Sequence, residues 1–499
     1  MDFRLTTTDL HALLPLVILS AGACLVLLID LFLREEARSR VLPPLTSLIL
    51  LGALGAGIEQ YISLSPGSFR FPSERLGPLL TPIWRHQVFT AVGAILLCGI
   101  ALAVHWISTS WLREEDRPAY GEYQCLLLLF PIGTILLIGA RNLMLAFVGL
   151  EIFSVALYVL TAMRRTRSRA VEAGLKYFLL GAFAAAIFLY GSALIYAGKG
   201  TLDLPDLGAI SREGLPAPVG LAALGGGILF LALFFKASVA PFHMWTPDVY
   251  QGAPTPITAL MSTGTKTAAF FLLITAARLF PHEILPLIPI LAIVSILVGN
   301  AGALRQTDLK RLLAYSGVAH AGYLLVAYCA IALGQGHQDA HTAIRAILYY
   351  LAVYGITNLA AFGVLAWLER REESVLTFEG IRGLGRRNPF CAAVLALAAL
   401  SLAGIPPTAG FWAKYQVFAA ALSAGQTTAA VVGILGSVVG LYYYLRILVA
   451  LYFEPAPEEA RIPAAGFAGA LTLGLSGAAI LLFGIFPSLL VDPLIHIRL

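Results

Sequence analysis

Residues 228–243 read Ile228-Leu229-Phe230-Leu231-Ala232-Leu233-Phe234-Phe235-Lys236-Ala237-Ser238-Val239-Ala240-Pro241-Phe242-His243. An unbroken apolar run leads into a single lysine, and a proline then interrupts what would otherwise continue as a helix. Proline donates no backbone hydrogen bond, and its ring clashes with the carbonyl four residues back, here that of Ala237. The helix therefore breaks beside Lys236. Backbone groups freed inside an apolar segment are tolerated where they line a hydrated cavity or an ion site. Lysine and helix break at one depth read together as a titrating site.

The rest of the chain supplies the same solvent. Of 499 residues 59% are hydrophobic and 12% charged, with a mean hydropathy of +0.83. A soluble domain is about one-quarter charged, so this composition describes an all-α polytopic membrane protein. At about 20 apolar residues per crossing, fourteen transmembrane helices are expected, over roughly 12–33, 41–63, 87–110, 122–140, 142–162, 172–197, 219–248, 255–279, 284–303, 310–334, 343–368, 388–424, 428–452 and 464–489. The seventh and twelfth are long and contain prolines, and both read as broken helices. Loops between them are short, which leaves a single membrane domain over 1–499. The net charge of +5 is spread over these loops without aromatic interleaving, so no nucleic acid is expected as a partner. Cys24, Cys98, Cys125, Cys329 and Cys391 stand singly in or beside apolar stretches, the pattern of apolar filler rather than of a metal or cluster site.

Charge placement sets the expected topology. The first ten residues carry Asp2, Asp9 and only Arg4, while Arg34, Arg38 and Arg40 follow the first apolar run. A secretory signal has the opposite order, so the first span reads as retained. With the N-terminus outside, eighteen Lys/Arg fall on cytoplasmic loops and ten on outer segments. Both termini are accordingly expected on the outer, periplasmic side.

The cations left inside spans are Lys176, Lys236, Lys266, Lys414 and Arg446, although the chain has only six lysines. Loops use arginine and spans use lysine. An amine can release its proton in an apolar setting, whereas a guanidinium stays charged. Glu151 is the carboxylate in the middle of a span, where it is costly unless paired or protonated. It reads either as a helix–helix hydrogen bond or as the partner that tunes a nearby lysine. Lys266 lies among Ser262, Thr263, Thr265 and Thr267, whose hydroxyls could support a water chain. Lys414 follows a second proline break at Pro406-Pro407. Glu172 and Lys176, four residues apart, read as a local ion pair or as a point of proton uptake. His320, in the tenth span, and His243, beside the first break, are either relays or satisfied core histidines. Asp30, Asp248, Asp308 and Arg446 sit near span ends, where pairing or snorkelling accounts for them.

Spans seven and twelve are five apart. Spans 4–8 and 9–13 can be set against each other as two five-helix repeats, and an odd number makes the second inverted. The expected organisation is 1–121 (three spans), 122–280 (first repeat), 281–453 (second repeat) and 454–499 (last span).

Several ordered strings resemble a known family: Leu150-Glu151; Lys236-Ala237-Ser238 through Pro241-Phe242-His243 to Trp245-Thr246-Pro247-Asp248; Tyr250-Gln251-Gly252-Ala253-Pro254-Thr255-Pro256; and Gly404-Ile405-Pro406-Pro407-Thr408-Ala409-Gly410-Phe411. They are similar to the antiporter-like membrane subunits of respiratory complex I, the bacterial NADH-quinone oxidoreductase, over nearly the whole chain. The resemblance implies proton translocation coupled to quinone reduction, with Glu151 and Lys236 as a charge pair, Lys266 as central relay and Lys414 as exit-side site. Glu172 and Lys176 also match the family pattern. It further implies no redox cofactor in this chain: NADH, FMN, iron–sulfur clusters and quinone belong to partner subunits. Other membrane subunits of the complex, including neighbouring antiporter-like subunits, and the lipid bilayer of the bacterial inner membrane are the implied partners. Two rival readings stay open: a subunit of a sodium/proton antiporter of the same fold, and a non-pumping structural subunit.

Overall fold

The computed structural model describes residues 6–65, 76–77, 80–112, 120–207, 218–279, 284–333, 337–369, 376–456 and 466–497. Helices dominate them: α1 Thr7–Phe32, α2 Glu35–Leu64, α3 Val88–Trp111, α4 Tyr120–Gly139, α5 Leu143–Thr161, α6 Ser168–Lys199, α7 Pro218–Ala237, α8 Trp245–Gly252, α9 Thr255–Thr275, α10 Leu287–Leu304, α11 Leu309–Leu333, α12 His337–Glu369, α13 Pro389–Ala403, α14 Ala409–Ser423, α15 Thr427–Tyr452 and α16 Phe467–Ile485. Thirteen helices among the described residues are long and apolar enough to cross a membrane. The expected twelfth span is instead two fifteen-residue helices, α13 and α14, neither long enough alone. The membrane fold and both breaks are borne out. Of the charges counted for topology, Arg4, Arg70, Arg75, Arg113, Arg117, Arg212, Arg370, Arg371, Arg461 and Arg498 lie outside the described residues, as does the expected boundary at 280.

Local chemistry sets the ends. Thr6 and Asp9 form a capping box on α1, Asn142 caps α5 through the Met144 N–H, and Asn388 caps α13 with Pro389 at its first position. The two breaks share a form. Helix α7 stops at Ala237 and Ser238 turns into left-handed backbone at φ 61°; α13 stops at Ala403 and Gly404 does the same at φ 84°. Proline follows three residues later in both, at Pro241 and Pro407. The lysines are not at matching places, however. Lys236 ends the first half-helix before its break, and Lys414 lies within the second half-helix after its break.

Packing places the lysines at the centre. The most apolar stretch of α9 is fully buried and that of α12 is 89% buried, against 39% for α1, α6 and α15. The inner helices therefore meet protein on all sides. Small residues allow the closest crossings. A Cβ on Gly191 in α6 would stand 2.7 Å from the Gly225 carbonyl oxygen in α7, and one on Gly225 would stand 2.5 Å from that of Gly191. Such backbone contact is how helices associate where burial from water gives no drive.

Candidate functional site: a buried lysine and histidine line

Lys236 is 2% exposed. Its ammonium donates to the Ser154 hydroxyl at 2.8 Å and to the Tyr158 hydroxyl at 3.4 Å. The rings of Phe153, Tyr158 and Tyr177 stand 5.4–5.7 Å away, a cation–π setting. The Ser154 hydroxyl donates in turn to the Leu150 carbonyl at 2.5 Å, which leaves its lone pairs for the lysine. The direct Glu151–Lys236 pair that the resemblance implies is not formed. Glu151 lies on the stripe of α5 that carries exposed Val148 and Val155, and Ser154, one turn on, takes the lysine instead. Its Oε1 is buried without a hydrogen-bond partner, and the two charges act on each other without contact. At the break, the Trp245 indole donates to the Phe235 carbonyl at 3.0 Å, which also accepts the Ser238 N–H at 3.1 Å, and the indole stacks on Tyr177.

The second group is continuous. Lys266, 1% exposed, directly follows a π turn over Met261–Thr265. Its ammonium donates to the Gly317 carbonyl of α11 at 2.5 Å and lies 5.4 Å from the Tyr354 ring. The same Tyr354 ring is 5.1 Å from His320. His320 hydrogen-bonds Tyr350 at 2.6 Å through Nδ1 and Tyr444 at 3.1 Å through Nε2. Tyr444 also meets Ser316 at 2.5 Å. Tyr323 joins the far side, its ring 5.4 Å from His320 and 5.3 Å from the Lys414 ammonium. Lys414 donates to the Ala403 carbonyl at the break, 2.9 Å, and to Ser437 at 2.7 Å. A small cavity lined by His320, Tyr354, Thr357, Ser401 and Lys414 has room for about one water molecule. Among the described residues neither Lys266 nor Lys414 has a carboxylate partner. The hydroxyls of Ser262, Thr263, Thr265 and Thr267, expected around Lys266, all donate back along their own helix. The ring and hydroxyl line comes from α11, α12 and α15 instead.

Other expected residues lie at the edges. Lys176 pairs with Glu172 at 2.7 Å and with Asp248 at 3.0 Å, and Arg311 pairs with Asp248 at 2.6 Å. Asp30 pairs with Arg38, and Asp308 accepts from Gln251. Arg446 lies 4.2 Å over the Phe378 ring. His243 is half-buried between α7 and α8, with its ring 6.4 Å from Tyr315 and its Nδ1 buried without a partner; no described contact joins it to Lys236.

Lys310 departs from its expected place. Counted as a loop cation, it is 2% exposed, donates to the Ala253 carbonyl at 2.5 Å and stands 3.8 Å from Glu369. Glu369, itself 2% exposed, also meets Arg164 at 3.4 Å and accepts the Thr255 N–H at 3.1 Å. This buried cluster clamps the turn between α8 and α9, and sequence reasoning passed over it.

Fold and site together define a multi-span membrane protein with a titratable polar line through its centre. Comparison with known proteins agrees on the membrane fold. Residues 140–440 match the family described as NADH:quinone oxidoreductase/Mrp antiporter, TM. Curated relatives include NADH-quinone oxidoreductase subunit N of Myxococcus xanthus, 37% identical over 97% of this chain and 96% of the relative, and that of Geobacter metallireducens, 39% identical over 98% of both. Among solved structures, a chain of respiratory complex I from Thermus thermophilus with bound aureothin is 35% identical with a TM-score of 0.77, covering 97% of this chain and 99% of that one. A chain of the Mrp complex from Dietzia sp. shares the fold alone, at 23% identity and TM-score 0.80 over 97% and 96% of the two chains. The chain belongs to the NADH-quinone oxidoreductase subunit N family of antiporter-like membrane subunits.

Proposed function

We propose that this chain is a proton-translocating subunit of a bacterial NADH-quinone oxidoreductase, seated in the inner membrane with both termini on the periplasmic side. The observation that carries the reading is the line Lys266–Tyr354–His320–Tyr323–Lys414, in which two buried amines, without a carboxylate partner among the described residues, flank an imidazole. A buried, unpaired ammonium is expensive in an apolar interior, so each amine can hand its proton on. Acidic Glu151 biases Lys236 through space, with Ser154 holding the ammonium in reach. A change at Glu151 favours release from Lys236 toward Lys266. His320 and the hydroxyls of Tyr350 and Tyr444 carry the charge on to Lys414, which discharges it outward. Glu172 and Lys176 form the uptake point, and His243 assists at the first break. The two breaks belong to inverted five-helix repeats over 122–280 and 281–453, flanked by 1–121 and 454–499.

NADH, FMN, iron–sulfur clusters and quinone sit in partner subunits, and the free energy arrives from them through the neighbouring membrane subunits. The complex reconstituted in liposomes tests this. Lys236→Ala and Glu151→Ala should each lower proton pumping and coupled quinone reduction while the complex still assembles. Unchanged proton-to-electron stoichiometry in the Lys236 variant would remove the role given to that residue. Co-purification without flavin or iron–sulfur subunits, together with sodium-driven proton exchange, would favour the antiporter reading instead.

A further inference from the structure

Asn300 lies in α10, off the central line, and is 3% exposed. A carboxamide buried at membrane depth is costly unless its donors and its acceptor are met. Here both kinds are engaged. The amide nitrogen donates to the Ile296 carbonyl at 2.9 Å and to the Tyr323 hydroxyl of α11 at 3.4 Å, and the amide oxygen accepts from the Tyr443 hydroxyl of α15 at 3.0 Å. Two glycines on α15 make the room. A Cβ on Gly436 would stand 3.3 Å from the amide nitrogen, and one on Gly440 would stand 3.3 Å from the amide oxygen.

Both phenols lead to the proton line. The Tyr323 ring is 5.4 Å from His320 and 5.3 Å from the Lys414 ammonium, and the Tyr443 ring is 4.4 Å from that of Tyr444, which hydrogen-bonds His320. A tyrosine oxygen lies on the long axis of its ring. A hydrogen bond there stops the side chain from swinging but not the ring from spinning about that axis. Phe418, set edge-on at 5.7 Å and 87°, limits the spin. Together the two contacts keep the ring's face toward the ammonium, the arrangement in which a π face attracts a cation. Lys414 otherwise meets only neutral acceptors among the described residues, the Ala403 carbonyl and the Ser437 hydroxyl. An amide suits the position because it donates and accepts without charge, so it orients a phenol and does not hold a transferred proton as a carboxylate would.

We propose that Asn300 is a positioning residue for proton transfer at Lys414. It holds Tyr323 so that the ring keeps the ammonium beside the water-sized cavity that Lys414 shares with His320. The inference rests on the proton-translocation reading and adds to it a residue that never carries the proton itself.

The test measures the proton-to-electron ratio, its pH profile and thermal melting for the intact complex, the first two in liposomes. Asn300→Leu keeps the branched shape and removes the amide; Tyr323→Phe keeps the ring and removes the hydroxyl. Each should lower the ratio and displace its pH profile. The double variant should lose no more than the worse single one, because both cut the same link. Melting should behave differently. Asn300→Leu strands a buried hydroxyl on Tyr323, which Tyr323→Phe then removes, so the double variant should melt above Asn300→Leu while its ratio stays low. A ratio that recovers together with the melting temperature, losses that add, or a wild-type ratio in Asn300→Leu would each make Asn300 a packing residue and overturn the proposal. Should Asn300→Leu fail to assemble, Tyr323→Phe decides, and a wild-type ratio there overturns it too. Lys414→Met separates this role from the wider reading. A lowered ratio there beside a wild-type ratio in Asn300→Leu removes the positioning role alone, whereas a wild-type ratio in Lys414→Met removes the translocation step at Lys414 and the positioning role with it.

Discussion

At the residue scale the account rests on how each buried amine is held. Gly317 lies in the interior of α11, and a Cβ there would come 3.2 Å from the Lys266 ammonium and 3.1 Å from the Tyr354 hydroxyl. Alanine favours a helix interior over glycine by about 1 kcal/mol. Gly317→Ala should therefore leave thermal stability equal or higher while displacing the ammonium from its carbonyl, and proton translocation should drop. A fall in both together would mean that the position serves packing only. Glu369 answers to a different rule. It is the counter-charge for Lys310 and Arg164 in a buried setting, and removing one partner of such a pair costs about 3–5 kcal/mol. Glu369→Gln should lower the melting temperature by several degrees, and adding Lys310→Met should recover part of the loss in a double-mutant cycle. Lys236, Lys266 and Lys414 were legible in the sequence because each interrupts an apolar run. Lys310 was not, since Arg311 follows it and the apolar run only begins there. Tyr323, Tyr350, Tyr354 and Tyr444 look like ordinary core aromatics until the fold turns them toward His320.

At the element scale the breaks matter most. A proline near a lysine announced both, and the structure adds how each end is finished. At the first, the Trp245 indole joins the Ser238 N–H on the Phe235 carbonyl; at the second, the Lys414 ammonium satisfies that of Ala403. The breaks share backbone form but not chemistry, because only the second uses its own titratable group as a cap. Trp245→Phe keeps the ring against Tyr177 and removes one of the two donors to the Phe235 carbonyl, the Ser238 N–H remaining, a loss of about 0.5–1.5 kcal/mol readable by thermal melting. A melting temperature unchanged from wild type would show that the Ser238 N–H alone satisfies this carbonyl. The boundaries of the twelfth segment were hard to read because α13 and α14 are each only fifteen residues, too short to stand out as separate crossings. The π turn before Lys266 left no sequence mark, since its serines and threonines fit a regular helix as well.

At the scale of the whole molecule, composition alone set the solvent, and burial sorts the helices. Peripheral α1, α6 and α15 present leucine, valine and phenylalanine outward, while α9, α11 and α12 hold the polar line away from lipid. Lys236 and Lys414 stand on the inward faces of half-helices whose other faces are exposed, so each amine is buried although its helix is not. The surfaces left to the bilayer and to neighbouring subunits follow as what the core does not need. The most direct test of the central claim is the number of protons moved per electron by the intact complex in liposomes carrying Lys266→Met. The account predicts a lowered ratio in a complex that still assembles and still oxidises NADH; a ratio equal to that of the wild type would contradict it.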